Sequence, residues 1–278
     1  MKNIVVGADI GGSHIKAALI DLDSRKILPG TENRGYVNSS GSAEEIIEAW
    51  SSIILQSLKG FPGCKKVGMA MPGPFDYENG ISYIKDLDKY EALYRLNVKL
   101  LLADKIGVCT KDILLENDAA CFLRGEVFAG AATESKATLG LTLGTGFGSA
   151  LSIDGTVRDA ELWQRPFSDS IAEYNFATRW FVKRYREVSG ESVDNVRELS
   201  LKVGSSSEAK QVFLEFSRNL AVFLRDNLHD IPLDLFIIGG NITGASEHFL
   251  DELRFRLTEI GVNLPIRISE LMEDAALI

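Results

Sequence analysis

Two segments of this chain are written to one plan, and that repetition constrains the fold more than any bulk property. Residues 4–21 read IVVGADIGGSHIKAALID and residues 139–154 read LGLTLGTGFGSALSID. Each is an apolar run, a glycine turn carrying a hydroxyl residue, a second apolar run and a closing Asp, which is the pattern of a β-hairpin. Glycines at Gly11, Gly12, Gly144, Gly146 and Gly148 let main-chain N–H groups approach an anion closely, and Ser13 and Thr145 add hydroxyls. A single turn of this kind is only a turn. Two in one chain form a pair of tips suited to holding phosphates from opposite sides.

The length of 278 residues favours two domains, each with its own core. A net charge of -9 argues against a broad nucleic-acid surface and offers little to an anionic membrane, so any anionic ligand must be held locally. Asp9 breaks the first apolar run and no cleavage site follows it, so a signal peptide is not expected. The uncharged stretch from Ala137 to Ile153 is too short and too rich in Gly, Thr and Ser to span a bilayer. The expected location is the cytoplasm. Cys64, Cys109 and Cys121 are odd in number and lack a C-x-x-C spacing, which suits reduced thiols, and with only His14, His229 and His248 beside them no zinc cluster is spelled out.

Strands and helices alternate along the chain. Short strands are expected at Lys26–Leu28 and Gly35–Val37. Ser42 to Leu58 opens with Ser and acidic residues and sets Ile46, Ile47, Trp50, Ile54 and Leu58 at helical spacing. The strand Lys66–Met71 ends in Pro72, Gly73 and Pro74, a rigid turn at the edge where open α/β sheets place ligands. A helix over Leu96–Ile106, a strand at Ile113–Leu115 and a helix from Asp118 to about Phe128 follow. Beyond the second hairpin, helices are expected at 172–188, 193–203 and 208–228, then a strand Leu235–Ile238, the turn Gly239–Gly240–Asn241, a helix over 245–260 and a strand at 266–268. The order suggests two α/β lobes, each opening with a hairpin, at 1–117 and 118–278. A dinucleotide fold is disfavoured, because Gly144, Gly146 and Gly148 lead into an alternating strand instead of a helix, and there is no P-loop motif.

Five motifs in order complete the pattern: Asp9-Ile-Gly-Gly-Ser-His-Ile-Lys16, Met71-Pro-Gly-Pro-Phe-Asp76, Glu116-Asn-Asp-Ala-Ala120 with Gly125-Glu126, Leu143-Gly-Thr-Gly146, and Ile238-Gly-Gly-Asn241. Together they resemble the ROK family (repressors, open reading frames, kinases) of sugar kinases over nearly the whole chain. The resemblance implies the hexokinase and actin-like ATPase fold, two ribonuclease-H-like lobes with a cleft between them. It also implies ATP-dependent, Mg²⁺-assisted phosphorylation of glucose or a related hexose.

Chemistry and resemblance then assign roles. Phosphoryl transfer depends on positioning and charge neutralisation, and on a residue that accepts the alcohol proton. Asp118 is the candidate catalytic base, and a helix N-cap is its structural alternative. The resemblance puts Asp9 near Mg²⁺, through water, and gives the nucleotide phosphates Gly11, Gly12, Ser13, Gly144, Thr145 and Gly146. Gly239, Gly240 and Asn241 resemble the adenosine-side loop, and Lys16 either reaches a phosphate or faces solvent. His14 is read as a structural histidine. On the sugar side the resemblance selects Gly73, Asp86, Asn117, Asp118, Glu161, Gln164 and Glu173.

The chain departs from the family at two places. Many members carry E-x-G-H and a cysteine-rich zinc loop whose His and final Glu bind the sugar. Here the stretch is Glu161-Leu-Trp-Gln164, then RPFSDSIA, then Glu173, so no structural zinc is expected and Gln164 stands where the His would be. Glu173 also suits the first turn of a helix. The second departure is at Glu273–Ile278, where members continue into a long helix, so the first lobe is expected to lack a packing element. A non-catalytic sugar-responsive regulator on the same fold is the alternative function. The first hairpin begins at Ile4, which leaves no room before it for a DNA-binding domain, and retention of Asp9 and Asp118 favours an enzyme. A homodimer is compatible with the sequence.

Overall fold

The computed structural model describes residues 3–61, 63–87 and 89–278. The chain forms two compact units, residues 1–130 with 273–278 and residues 131–272.

In the first unit, β1 (Ile4–Ile10) and β2 (His14–Asp21) make the expected hairpin, with Asp9 directly opposite Lys16. β3 (Lys26–Ile27) and β4 (Asn33–Tyr36) both pair with β2. α1 (Ala43–Leu58) starts in a capping box: the Ser42 hydroxyl accepts from the Glu45 N–H at 3.3 Å and the Glu45 carboxylate accepts from the Ser42 N–H at 2.7 Å. Such a cap stabilises a helix by about 1 kcal/mol. β5 (Val67–Met71) extends the sheet parallel to β1; β6 (Phe75–Asp76) and β7 (Ile81–Ser82) form a small ribbon beside it. α2 (Val98–Ile106), capped by Asn97, leads to β8 (Ile113–Asn117), parallel to β5, and then to α3 (Asp118–Ala129). The two-residue alternation of strands aims Val6, Ala8, Ile10, Ile15, Ala17 and Leu19 at Ile46, Ile47, Trp50 and Ile54 of α1, which makes one core.

The other face of this sheet is covered by the end of the chain. Leu277 packs on Ala18 and Ile20, with Val5, Leu22, Ile27 and Ile278 around it. The expectation that the first lobe lacks a closing element is therefore corrected: residues 273–278 supply one. Two glycines make room for it. A Cβ on Gly7 of β1 would lie 1.9 Å from the Leu277 carbonyl oxygen, and one on Gly125 of α3 would lie 2.0 Å from that of Ala275. The units also divide at Gly130 and not after Asn117 as the sequence suggested. α3 stays with the first unit because it packs on β5 and β8 and because Gly125 receives the returning tail.

In the second unit, β9 (Ala137–Leu143), β10 (Phe147–Ile153) and β11 (Thr156–Asp159) form an antiparallel meander. β12 (Pro166–Phe167) and β13 (Ser170–Ile171) are a small ribbon, followed by α4 (Ala172–Phe176), α5 (Thr178–Ser189), α6 (Val196–Lys202) and α7 (Ser207–Leu228). β14 (Leu235–Gly239) inserts parallel to β9, α8 (Leu250–Glu259) packs on α7, and β15 (Ile266–Ile268) closes the sheet in the order β11-β10-β9-β14-β15. Phe147, Phe176, Phe181, Phe213, Phe216 and Phe223 fill its core, each with at most 2% of its surface exposed. Aromatic rings of this size dominate core energetics.

Two expected helices are broken, each for a visible reason. The 172–188 segment divides at Ala177 (φ -99°, ψ 168°), since the next N–H, that of Thr178, leaves the helical ladder to donate to the Gly144 carbonyl at 2.8 Å. The 245–260 segment is a 3₁₀ stretch over Asn241–His248 followed by α8, with the fully buried Phe249 at the join and its carbonyl accepting from the Ser217 hydroxyl at 2.8 Å.

The tail contact makes a first prediction. Gly125→Ala must displace the Ala275 carbonyl, so it should cost about 1–3 kcal/mol and lower the melting temperature by several degrees. Gly204→Ala, where an added Cβ meets nothing within 4 Å, should leave it unchanged. Equal melting temperatures for the two variants would refute the slot.

Candidate active site

Because β1, β5 and β8 run parallel, their carboxyl ends lie along one edge of the first sheet. That edge carries Asp9 and the tip Gly11–Ser13, then Pro72–Gly73, then Asn117 and Asp118. The tip is held from below. Tyr90, fully buried with its ring edge-on to Trp50 at 5.2 Å, donates its hydroxyl to the Gly11 carbonyl, and the Ser13 carbonyl accepts from the Val37 N–H at 2.9 Å. Burial pushes the Tyr90 phenol up to about 12, so it remains a donor. Among the described residues, the N–H groups of Gly12 and Ser13 have no protein acceptor, and a Cβ on Gly12 would meet nothing within 4 Å. The tip is an open cradle of donors.

The N-cap of α3 lies one residue before Asp118. Asn117 is the N-cap of α3: its Oδ1 accepts from the N–H groups of Ala119 and Ala120 at 2.9 and 3.1 Å. Asp118 is thereby the first residue of the helix, exposed, with Oδ1 accepting from the Ala119 N–H at 2.9 Å. The cap role belongs to the neighbour. Asn117 has in turn only its Nδ2 for other work, and this lies 3.4 Å from the Tyr77 hydroxyl, beside Gly73. Asp86 sits in an exposed loop with left-handed backbone (φ 58°).

Asp9 is electrostatically tense. Burial first, and then the charge of Asp118, push its carboxyl from an ordinary 3.8 up to about 6; Lys16 opposes them, Glu273 adds to them and Arg34 opposes. Lys16 is largely buried and does not face open solvent. Its ammonium is paired with Asp274 and with Glu32 (3.2 Å), and these partners raise its pKa in spite of burial. The exposed Arg34 stands opposite Lys16 on β4, so Asp9, Lys16 and Arg34 form a row across three strands. His14 lies against Gly11, its pKa lowered by burial and then by Arg34, in keeping with a structural role.

In the second unit the carboxyl ends of β9 and β14 are neighbours, which brings the turn Gly144–Thr145–Gly146 beside Gly239–Gly240–Asn241. A Cβ on Gly240 (φ 85°) would lie 2.4 Å from the Leu143 carbonyl oxygen, so this approach needs glycine. The Gly144 carbonyl accepts from the N–H and hydroxyl of Thr178, and no protein acceptor takes the N–H groups of Thr145 and Gly146 among the described residues. A cavity of about 810 Å³ opens next to Thr145, lined by Thr178, Arg179, Val182, Lys183 and Arg186. Glu173, in the first turn of α4, accepts from the Phe147 N–H at 2.7 Å and faces Arg179 at 3.4 Å. Glu161 has left-handed backbone (φ 51°) and opens the 3₁₀ turn Leu162–Gln164, which packs on α4 near Glu173. Gln164 is exposed.

A sequence profile of the ROK family matches residues 5–160. The chain belongs to the ROK family. Among curated proteins it is 25% identical to the glucokinase of Thermotoga maritima over 99% of this chain and 95% of that one. It is 29% identical to the N-acetyl-D-glucosamine kinase of Citrobacter koseri over 54% of this chain and 46% of that one, so this second alignment spans about half of the relative. Among solved structures, a ROK family glucokinase of Streptomyces griseus, in complex with glucose and AMPPNP, superposes with a TM-score of 0.79 at 21% identity, covering 99% of this chain and 97% of that one. The ROK assignment carries the actin-like ATPase fold with it.

Five contributors were not singled out in the sequence: Tyr90, Arg34, Thr178, Arg179 and Asp274. Most act through a partner distant in sequence, as Asp274 does on Lys16 across 258 positions, which no local spacing marks. Arg179 alone carries a hint, six residues after Glu173.

The Asp9 environment yields a prediction on the ligand-free protein. A carboxyl whose folded pKa is raised to about 6 favours the fold when protonated, and that contribution is lost as pH rises from about 4 through 6. Asp9→Asn should match wild type near pH 4 and be more stable by about 1–3 kcal/mol at pH 7.5. Urea unfolding across that range gives the difference, and a difference independent of pH would remove the buried-charge account.

Proposed function

We propose that this protein transfers the γ-phosphoryl group of ATP to a hydroxyl of glucose or a related hexose, with Asp118 as general base. The observation that carries the reading is the division of labour at β8: Asn117 caps α3, which leaves Asp118 at the carboxyl edge of the sheet beside the first glycine tip and Asp9. The curated relatives named above are sugar kinases, which supports the same class.

The residues fit a magnesium nucleotide. The N–H groups at both tips that have no acceptor among the described residues suit phosphate oxygens, the cavity beside Thr145, with Val182 and the stems of Arg179 and Arg186, suits a nucleoside, and the Gly239–Asn241 turn flanks the Thr145 turn. Asp9 would hold Mg²⁺ through water, and a cation there would relieve the tension that raises its pKa. When bound, the magnesium nucleotide supplies an electrophilic phosphorus and neutralises charge on its oxygens.

The chain's own part is positioning and proton transfer. Asp118 takes the proton of the hydroxyl that attacks, and its exposed carboxylate at the start of α3 is held in orientation by the Ala119 N–H. Asn117 offers its Nδ2 to a sugar oxygen, steadied by the cap made by its Oδ1. Gly73 leaves the space in front of Tyr77 open; we also assign to the sugar Asp86 of the first unit and, in the second, Glu161, Gln164 and Glu173. The site assignments, the cytoplasmic location and a homodimer belong to this proposal.

Asp118→Asn keeps an acceptor for the Ala119 N–H and so should keep the fold. It should lower kcat by at least about 10²-fold with modest change in sugar KM. Near-native turnover would sink the base assignment. The activity is tested by a panel of glucose, mannose, N-acetylglucosamine and N-acetylmannosamine with ATP and Mg²⁺, and failure to phosphorylate any of them would overturn the proposal.

With Gln164 in place of a histidine and no cysteine ligands in the 161–173 loop, purified protein should contain no stoichiometric zinc. Elemental analysis decides it, and one tightly held zinc per chain would require the loop to be reassigned.

A further inference from the structure

We infer that Glu173, backed by Arg179, sets the shape of the second glycine loop and is therefore a positioning residue for the phosphoryl donor as well as a sugar-side carboxylate. The inference rests on the reading of Gly144–Gly146 as a phosphate loop.

A three-residue turn of this composition is intrinsically loose, since glycine restricts the backbone least. Within the turn one bond closes it, from the Gly144 N–H to the Gly146 carbonyl at 3.0 Å. Among the described residues, the other hydrogen bonds to the turn and to Phe147 after it come from one short stretch, residues 173–179. The Thr178 N–H and hydroxyl both donate to the Gly144 carbonyl, at 2.8 and 2.9 Å. The Arg179 guanidinium reaches the Thr145 carbonyl at 3.5 Å and the Glu173 carboxylate at 3.4 Å. The second Glu173 oxygen accepts from the Phe147 N–H at 2.7 Å, a short charge-assisted bond. The carbonyls of Gly144 and Thr145 and the amide of Phe147 are thus fixed from outside, and the amides of Thr145 and Gly146 are the ones left to face a ligand.

The carboxylate lies directly against the loop: a Cβ on Gly146 would be 3.4 Å from both Glu173 oxygens. A bare negative charge at that distance would repel a phosphate. Arg179 offsets it, and its guanidinium is further steadied over the Tyr174 ring at 5.1 Å. The stretch itself has a firm base. Phe176 is fully buried among Phe147, Phe167 and Phe223, at 5.0 to 5.4 Å between ring centres, and Asn175 donates to the carbonyls of Phe167 and Ile171. Core packing thereby fixes α4, α4 fixes Glu173, and Glu173 fixes the loop.

The decisive measurement is calorimetric binding of ADP with Mg²⁺ in the absence of sugar, where a purely sugar-binding carboxylate has no effect. Glu173→Ala should weaken ADP binding about 5- to 50-fold, and Glu173→Gln, whose amide oxygen still accepts from the Phe147 N–H, should restore it to within about 3-fold of wild type. If the alanine variant melts below the assay temperature, Glu173→Met, which keeps the stem without an acceptor, gives the same reading. Gly146→Val reports on the loop itself. Weakened ADP binding in Gly146→Val with wild-type binding in Glu173→Ala would overturn the positioning role alone. Wild-type binding in both would overturn the phosphate-loop reading and the inference with it.

Discussion

A main-chain turn can offer its N–H groups to an anion only if its shape is held by something that does not use them. Both glycine tips meet this condition in the same way. At Gly11 the carbonyl is taken by the Tyr90 hydroxyl, and at Gly144 it is taken by the Thr178 hydroxyl and N–H. A side-chain hydroxyl arriving from a distant element fixes the acceptor end of each turn, and among the described residues nothing claims the donor end. The glycines supply the backbone freedom and the hydroxyls remove it again, in one chosen geometry. The rest of each unit serves this: Trp50 and the α1 core hold Tyr90, and the phenylalanine cluster holds the stretch that carries Thr178.

Charge is arranged with similar economy around Asp9. Burial first, and then the carboxylates of Asp118 and Glu273, raise its proton affinity, while Lys16, the cation directly opposite it on β2, offsets this only in part because its ammonium is turned toward Glu32 and Asp274. An ammonium free to settle on Asp9 would quench the site. Held by two other carboxylates, it leaves Asp9 short of positive charge, and a divalent cation is the species that such a carboxylate binds best. Burial of the unneutralised group weakens the ligand-free fold, as active sites commonly do.

The sequence was most legible where the signal is local. Both hairpins, the Ser42–Glu45 cap, the strand ending at Met71, the strand expected at Ile113–Leu115, which in the fold runs on to Asn117, and Asp118 at a helix start are written within a few residues of themselves, and the structure has them. Legibility failed where a tertiary partner overrides local preference. The apolar spacing across 172–188 reads as one helix, but the Gly144 carbonyl draws away the Thr178 N–H and breaks it. Asn117 and Asp118 are both good caps by residue type, and only the backbone at the end of β8 decides between them. Lys16 was ambiguous in an alternating strand because its partner Asp274 lies at the far end of the chain.

The same logic explains why the returning tail was invisible. A glycine in a strand such as Gly7, or in a helix such as Gly125, reads locally as a weakness, since each costs its element up to about 1 kcal/mol relative to alanine. In the fold each is an absence of volume that another segment fills: the carbonyls of Leu277 and Ala275 pass where a Cβ would stand. One slot lies on β1, two residues before Asp9, and the other on α3, seven residues after Asp118. The tail therefore touches both elements that carry the proposed site carboxylates, and its Asp274 anchors the lysine facing one of them. A local cost in two elements is offset by a contact that ties those elements together, so the spacing of Asp9 and Asp118 depends on residues that no motif contains.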